Sequence, residues 1–358
     1  MSTDENRPAR DAGHLRIATE EAFAPPEVLE QYRRLLERGG GDTGFASLWG
    51  HYLHSSAERP VSVRRRLQDL GAERLADMEA AGVDHQVLAL TSPGTQVFDA
   101  ATAHSLAVLA NDAAAQAVRD HPERFSALAA VAFQDPAKAV AELRRAVEEL
   151  GLKGLILNSH IGGEYIDAPR FAPILEAAEA LDVPIYLHPN TPSDRMIGPL
   201  RDAGLDGAIY GFGVETGMHL LRMITSGIFD RFPRLRVVVG HLGEALPFWL
   251  SRLDYMHAGQ VASGRYEAVG PLELRPSEYL RRNVWFTTSG MAWIPGIMFV
   301  REVIGADRVL YAMDYPYQYV PEEVTEQERL PVTPEEKKAF FESLAVDLFD
   351  LRLPKPGD

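Results

Sequence analysis

Eight short segments of the chain are nearly continuous runs of Val, Ile, Leu and Ala, and each run is bounded by turn residues. Runs of this kind predict buried β-strands. Between most of them the apolar residues recur at helical spacing, as in 137–151 and 171–181. The eight predicted strands are residues 15–23, 85–90, 125–131, 151–158, 184–189, 236–241, 283–288 and 308–314.

Strands that alternate with helices and are apolar throughout predict an α/β protein, a (β/α)8 TIM barrel. A doubly wound open sheet is the alternative, but no Gly-x-Gly-x-x-Gly follows the first strand. The connection after strand one and the Gly- and Pro-rich connection 191–213 are long, which predicts long βα-loop insertions at the barrel mouth. We assign residues 15–350 to a single barrel domain, with flexible tails at 1–14 and 351–358.

Side chains with acid–base or metal-binding chemistry follow the predicted strands. The carboxyl ends of barrel strands form the active-site face. Any one of these residues could be a satisfied core residue, but carboxylates and imidazoles that converge on one rim predict a metal or acid–base site. The strand-end residues are Glu20, Glu21, Thr91, Asn158, His160, His188, His241, Glu244, Thr288, Ser289 and Asp314.

Three of these strand-end residues form a candidate metal site. Glu20, His188 and Asp314 supply two carboxylates and one imidazole, a set that suits a divalent ion such as Mn²⁺, Zn²⁺ or Mg²⁺. Three protein ligands leave coordination positions for substrate and water, as in catalytic sites. A salt bridge from Asp314 to a nearby arginine is the alternative.

Further candidates surround this metal site. Glu244 follows His241 by three residues in GHLGE, so its carboxylate can orient the imidazole. Arg59 and Arg252 could clamp a substrate carboxylate, although a solvated surface position is the commoner one for either arginine taken singly. His219, on the helix predicted after the 191–213 connection, is interpreted as a packing residue.

Aromatic residues near the predicted rim could enclose a planar ring or simply pack in the core. These residues are Trp49, Tyr210, Phe212, Tyr315 and Tyr317. From this set we select Phe212 and Tyr317 as substrate-binding candidates, together with Thr91 at the end of the second strand.

Composition narrows the range of partners. The chain has 36 basic and 51 acidic residues and a formal charge of -15, which argues against nucleic acid or an anionic membrane as partner. No apolar run approaches the roughly 18 residues of a membrane span, and residues 1–14 lack the apolar core of a signal peptide. The absence of cysteine excludes thiolate chemistry and suits a cytoplasmic location.

The order of these motifs resembles the amidohydrolase superfamily, in its branch of metal-dependent nonoxidative aromatic acid decarboxylases. The resemblance is carried by ATEEAF (18–23), YLHP (186–189), residues 211–257 and YAMDYPYQ (311–318), and it spans roughly residues 15–350. It implies one divalent ion, commonly manganese, held by Glu20, His188 and Asp314, and no organic cofactor. It also implies that His241 and Glu244 are a catalytic pair and that Arg59, Arg252 and Tyr317 contact the substrate.

Two features depart from the wider superfamily. The usual His-x-His after strand one is replaced by Thr19, Glu20, Glu21 and Ala22. Strand four has no lysine at its carboxyl end, since Lys153 lies near its start. Both departures favour a single metal ion and weigh against amide hydrolysis.

The resemblance implies loss of carbon dioxide from an ortho-hydroxy or methoxy aromatic carboxylate, with 5-carboxyvanillate as the first expected substrate. The alternatives are 2,3-dihydroxybenzoate, 2,6-dihydroxybenzoate and salicylate. Asp314 is the expected proton donor and His241 its rival. Hydrolysis of a lactone or amide, isomerisation on the same scaffold and a non-catalytic metal-binding barrel remain open as alternative functions.

The resemblance also suggests a homodimer or homotetramer, with the apolar stretch 211–224 contributing to the contact between subunits.

Overall fold

The computed structural model of the chain describes residues 13–353. Residues 1–12 and 354–358 of the two predicted tails lie outside the described residues. Two of the described tail residues pack on the domain: His14 stacks on Phe341 with ring centroids 5.1 Å apart, and Leu351 is buried.

Within residues 13–353, eight parallel strands form the centre of the fold, which confirms the predicted α/β barrel class. They pair in the order β1-β2-β3 and β4-β5-β6-β7-β8. Every residue of β1, β2 and β4 is buried, as the continuous apolar runs predict. The strands are β1 (Ile17–Phe23), β2 (His85–Leu90), β3 (Phe125–Ala127), β4 (Leu155–Asn158), β5 (Ile185–His188), β6 (Val237–Val239), β7 (Val284–Thr287) and β8 (Val309–Leu310).

Backbone contacts join the two groups of strands. Ala129, just past β3, forms a parallel bridge with Leu155 at the start of β4. On the other side, the backbone N–H of Ala22 in β1 donates to the carbonyl oxygen of Tyr315, beyond β8, at 2.6 Å. These contacts bring the carboxyl ends of β1, β5 and β8 to one rim.

Seven of the eight strands are shorter than the apolar runs predicted; β2 has the predicted bounds, and β3, β4 and β8 lose the most residues. β3 ends at Ala127 rather than 131, because the buried Asn111 side chain bonds both backbone groups of Ala130, at 2.7 and 2.9 Å, and removes them from the ladder. β8 covers only two residues of the predicted 308–314, since the chain after Leu310 turns towards β1 and Asp314 adopts a φ of 73°.

Helices cover the outside of the strands and form the insertions. In chain order the α-helices are α1 (Pro26–Glu37), α2 (Thr43–His54), α3 (Glu58–Gln68), α4 (Ala72–Ala81), α5 (Ala100–Asp120), α6 (Pro136–Arg144), α7 (Ala172–Ala180), α8 (Ile197–Asp202), α9 (Gly211–Thr225) and α10 (Ile228–Arg231), followed beyond the turn at 241–244 by α11 (Leu250–Ser263), α12 (Pro276–Asn283), α13 (Ile294–Val303), α14 (Pro321–Gln327), α15 (Pro334–Lys338) and α16 (Leu344–Leu348). The predicted insertions are present, with α1–α4 after β1 and α8–α10 after β5. Between residues 13 and 353, none of the helices combines the length and apolarity needed to cross a membrane.

His219 lies in a buried polar cluster on α9, which agrees with its interpretation as a packing residue. Its Nε2 accepts the backbone N–H of Ile166 at 3.1 Å, and its Nδ1 lies 3.1 Å from Ser159 Oγ, which donates to Glu215 Oε1 at 3.2 Å. Burial lowers the pKa of His219 to about 3, and the nearby charges of His160 and Arg222 act in the same direction. The ring is therefore neutral when folded.

We expect this neutral histidine to weaken the protein in acid. An unfolded histidine titrates near about 6.5, so between that pH and about 3 the unfolded state binds one more proton than the folded state. The free energy of unfolding should therefore decrease as the pH falls below 6.5, by about 2–3 kcal/mol at pH 4.5. His219→Gln should reduce the drop in Tm between pH 7 and pH 4.5 by about 3–4 °C in thermal melts. The exposed His54→Gln should melt like wild type, and an unchanged acid drop in His219→Gln would contradict this account.

Candidate metal centre and acid–base site

The three predicted metal ligands meet at the rim. Glu20 is in β1, His188 is the last residue of β5, and Asp314 follows β8. One ligand atom from each lies within 4.8 Å of the others. The Nε2 atom of His188 is 3.4 Å from Glu20 Oε1. Residues that are far apart in the chain thus form a single donor set of two oxygens and one nitrogen.

The hydrogen bonds to Glu20 use only one of its two carboxylate oxygens. Its Oε2 accepts hydrogen bonds from the hydroxyls of Tyr186 and Thr287, the second at 3.2 Å. Its Oε1 is buried without a hydrogen-bond partner among the described residues. Gly240 allows this close packing, because a Cβ at that position would lie 2.5 Å from Glu20 Oε2. A buried carboxylate oxygen without a donor is what a bound cation would satisfy.

The other two ligands also suit a cation. The ring of His188 bonds Pro189 O through Nδ1 at 2.9 Å, which directs Nε2 towards Glu20. Burial lowers the pKa of His188 and so favours the neutral imidazole that metals require. Burial, followed by the charge of Glu20, raises the pKa of Asp314 well above its usual range. The residues therefore fit one divalent ion.

His241 and Glu244 lie beside this centre in an unusual backbone turn. Five consecutive residues from 241 to 245 have positive φ values of 52°, 55°, 82°, 52° and 65°, and only Gly243 among them adopts this region without steric cost. The turn places His241 Nδ1 2.9 Å from Glu244 Oε1. Burial lowers the pKa of His241, because it disfavours the imidazolium. The nearby carboxylates of Glu244 and Glu20 together have the larger effect and raise the pKa to about 10.

The strained turn leads to a prediction about stability. Ala245 is exposed and has a φ of 65°, so Ala245→Gly should relieve a steric cost of about 1–2 kcal/mol and raise the Tm slightly. Ala258 is an exposed residue of α11, and Ala258→Gly should lower the Tm, because glycine costs about 1 kcal/mol in a helix interior. Differential scanning calorimetry compares the two variants. A loss of Tm in both would mean that residue 245 is not strained.

Most of the predicted substrate-binding residues lie around the centre. The Arg59 guanidinium donates to Tyr317 O at 3.1 Å, and its charge opposes the rise in the pKa of Asp314. The hydroxyls of Tyr317 and Thr91 are 2.6 Å apart. Phe212 is half-buried in the first turn of α9, and a Cβ at the next residue, Gly213, would lie 2.9 Å from Glu244 Oε2.

Arg252 is placed differently. It is exposed on α11 and lines a hollow of about 250 Å³ together with Leu221, Trp249 and His257. None of the three metal ligands lines that hollow. In the single chain, Arg252 therefore lies on the surface of α11, in a hollow that the metal ligands do not line.

Two of the rim aromatics have packing roles. Trp49 is fully buried against Tyr32, with ring centroids 4.7 Å apart. Tyr315 is fully buried, and its hydroxyl donates to Asp77 Oδ2 at 2.9 Å. Tyr210, by contrast, is 59% exposed. Of the five aromatic candidates, Phe212 and Tyr317 therefore remain for contact with a planar ring.

Three residues near the centre were missed by the sequence reasoning. Tyr186 and Thr287 orient Glu20 by donating hydrogen bonds to its Oε2, and the Tyr52 ring packs edge-on against Tyr317 with centroids 5.7 Å apart. A signal for Tyr186 was available, since it precedes His188 by two residues in the same strand and must share its face. For Tyr52, on α2, no comparable pattern exists.

Comparison with known proteins agrees with this geometry. The family profile described as Amidohydrolase matches residues 47–351, and the chain belongs to this family. Within it, the chain falls in the branch of metal-dependent aromatic acid decarboxylases. Gamma-resorcylate decarboxylase from Rhizobium sp. (strain MTP-10005) is 35% identical over 314 residues, covering 85% of this chain and 89% of that protein.

Two solved structures are similar over nearly the whole chain. 5-Carboxyvanillate decarboxylase from Novosphingobium aromaticivorans DSM 12444, complexed with manganese and 4-hydroxy-3-methoxy-5-nitrobenzoic acid, is 50% identical with a TM-score of 0.95, covering 98% of this chain and 100% of that chain. An aspartate-to-asparagine mutant of that enzyme also has bound manganese. 5-Carboxyvanillate decarboxylase LigW from Sphingomonas paucimobilis is 40% identical with a TM-score of 0.89, covering 94% and 99%.

Proposed function

We propose that this protein is a metal-dependent nonoxidative decarboxylase of an ortho-hydroxy or methoxy aromatic carboxylate, with 5-carboxyvanillate as substrate and vanillate as product. One observation carries the proposal: the donor set Glu20, His188 and Asp314 lies beside the bonded pair His241 and Glu244, with an unsatisfied buried oxygen on Glu20. The 50% identity to a 5-carboxyvanillate decarboxylase supports this choice of substrate.

The three ligands would hold one divalent ion, for which Mn²⁺ is our first choice and Zn²⁺ or Mg²⁺ the alternatives. When bound, the ion would supply positive charge that favours the ionised phenol and carboxylate oxygens of the substrate. The Arg59 guanidinium binds the carboxylate of the aromatic substrate and so orients it. Tyr317, with its hydroxyl on Thr91, and Phe212 limit the position of the ring.

The chemical step is a proton transfer to carbon. The donor releases its proton to the ring carbon that bears the carboxylate, the bond from that carbon to the carboxylate breaks, and carbon dioxide leaves as the electron pair restores aromaticity. Asp314 is our proposed donor, because burial and the charge of Glu20 raise its pKa and so favour the protonated form. His241, oriented by Glu244, is the rival donor.

A continuous ultraviolet assay of the manganese-loaded protein tests this function. The assay compares 5-carboxyvanillate with 2,3-dihydroxybenzoate, 2,6-dihydroxybenzoate and salicylate, and carbon dioxide is measured in parallel. Rapid loss of 5-carboxyvanillate with equimolar carbon dioxide is the expected result. Turnover of a lactone or amide without carbon dioxide would support the hydrolase alternative instead.

A second substrate deserves the same test because a specific observation favours it. The curated relative from Rhizobium, 35% identical, is a decarboxylase of gamma-resorcylate, which is 2,6-dihydroxybenzoate. We propose 2,6-dihydroxybenzoate as the alternative substrate. A higher kcat/KM for this acid than for 5-carboxyvanillate would reverse our order of preference.

We further infer that the protein assembles as a homodimer or homotetramer in the cytoplasm. Large apolar side chains are exposed on and near α11 and α13, with Phe248 76%, Tyr255 79% and Trp293 63% exposed, and such patches favour association. The stretch 211–224, predicted to contribute, buries Leu220, Met223 and other residues inside its own chain. Sedimentation velocity tests the assembly, and the lack of cysteine supports the location.

A further inference from the structure

The backbone of Asp314 is held from both sides by a side chain outside the metal centre. Asp314 has a φ of 73°, in the left-handed region that few non-glycine residues adopt and that its surroundings must stabilise. The N–H of Met313 donates to Glu21 Oε1 at 3.0 Å, and the N–H of Tyr315 donates to Glu21 Oε2 at 3.3 Å. One carboxylate therefore bonds the residues immediately before and after the ligand.

Glu21 reaches this position because β1 is irregular. The register between β1 and β2 shifts between Ala18 and Glu21, and successive strand residues face opposite sides. The Glu20 side chain accordingly belongs to the metal centre, whereas the Glu21 side chain accepts hydrogen bonds from the backbone on either side of Asp314. The two adjacent carboxylates are thus divided between binding the cation and holding Asp314.

Glu21 is itself fixed by a buried network. Gln86 Nε2 donates to Glu21 Oε2 at 3.4 Å, and the Arg74 guanidinium donates to Gln86 Oε1 at 3.1 Å and to Ala22 O at 2.6 Å. Arg74 also lies 4.6 Å from the centre of the Tyr315 ring. Glu21 and Arg74 have no exposed surface and Gln86 is 1% exposed. Buried polar groups joined by this many hydrogen bonds hold one another in place.

We propose that Glu21, supported by Gln86 and Arg74, is a positioning residue that holds Asp314 in its left-handed conformation and thereby sets the affinity of the metal site. The inference rests on the metal site of the proposed function. If the two bonds are lost, Asp314 can relax to a negative φ, and its carboxylate turns away from Glu20 and His188. Affinity for the ion then decreases although all three ligands are present.

Glu21→Gln is the most direct test. The variant keeps the shape of the side chain, but its amide nitrogen cannot accept a backbone N–H, so one of the two bonds is replaced by a contact between two donors. We expect its dissociation constant for Mn²⁺, measured from the electron paramagnetic resonance signal of free Mn²⁺, to rise by about 10–100-fold. At saturating manganese, kcat should fall more than KM rises, because Asp314 remains misplaced.

A matched control separates positioning from general stability. Asn111 is likewise buried and holds backbone groups at a strand end, those of Ala130. Asn111→Leu should lower the Tm but bind Mn²⁺ with wild-type affinity. Gln86→Met is the milder second variant, which removes only the support of Glu21, and we expect a rise in the dissociation constant of about threefold or more.

The outcomes are distinguishable. Wild-type affinity in both Glu21→Gln and Gln86→Met would overturn the inference and leave the proposed function intact. If Glu21→Gln fails to fold, unchanged affinity in Gln86→Met alone overturns it. Equal loss of affinity in Asn111→Leu would also overturn it, because the effect would then reflect stability. If the wild-type protein binds none of Mn²⁺, Zn²⁺ and Mg²⁺, the proposed function itself fails.

Discussion

Asp314→Asn is expected to lower kcat/KM for the preferred aromatic acid by about a thousandfold while the protein keeps its manganese. The asparagine side chain retains an oxygen that can ligate the ion but has no acidic proton, and general acid catalysis is worth about 10²–10⁴-fold. An aspartate-to-asparagine mutant of the Novosphingobium enzyme has bound manganese, so a variant of this kind is compatible with metal binding. The ultraviolet assay and the metal content of the same sample test this expectation together.

The measurement needs a control aspartate on the same rim. Asp194 is exposed and accepts the backbone N–H of Thr43 at 2.9 Å, and Asp194→Asn should keep both the rate and the metal. A near-native rate in Asp314→Asn with full metal would exclude Asp314 as the proton donor. His241 would then be the first candidate, and His241→Asn would be tested in the same way.

Glu20→Gln is expected to abolish manganese binding and to lower activity by more than about a thousandfold, while making the metal-free protein more stable. Glu20 is 2% exposed, and its charge contributes to the raised pKa of both Asp314 and Glu21. Without a cation, burial and the charge of Glu20 together disfavour ionisation of Asp314 and Glu21, and a neutral amide removes the part of this cost that comes from Glu20. In thermal melts, metal-free Glu20→Gln should have a higher Tm than metal-free wild type. Addition of Mn²⁺ should not increase the Tm of the variant.

A buried glutamate elsewhere supplies the contrast. Glu142 is 3% exposed and is paired with Arg145 at 2.8 Å, so Glu142→Gln should lower the Tm of the metal-free protein and keep the increase with Mn²⁺. Wild-type protein gains stability from the ion by about 2.7 kcal/mol at one hundred times the dissociation constant. If Glu20→Gln kept that gain, Glu20 would not be a ligand.

The apolar pattern alone determined the fold class and the composition of the metal centre. Each strand is encoded locally, because a continuous apolar run is stable only when both faces are buried, and parallel strands then place their carboxyl ends on one rim. That reasoning places Glu20, His188 and Asp314 together, and the structure has them together.

The exact limits of the strands were decided by tertiary contacts. Asn111 ends β3 by bonding Ala130, although nothing in the apolar run 125–131 marks that position. The surface location of Arg252 likewise depends on how α11 leaves the turn at 241–245. Local propensity does not predict such tertiary contacts, because the contacting residues are distant in the sequence.

Only the tertiary structure could reveal the strained elements of the site. Asp314 and residues 241–245 have positive φ values that local sequence disfavours for all but Gly243, so these conformations exist because distant groups enforce them. Glu21 bonds Met313 and Tyr315 across more than 290 positions of the chain. The sequence therefore determined which chemical groups the centre contains, and long-range hydrogen bonds between buried groups decided how those groups are held.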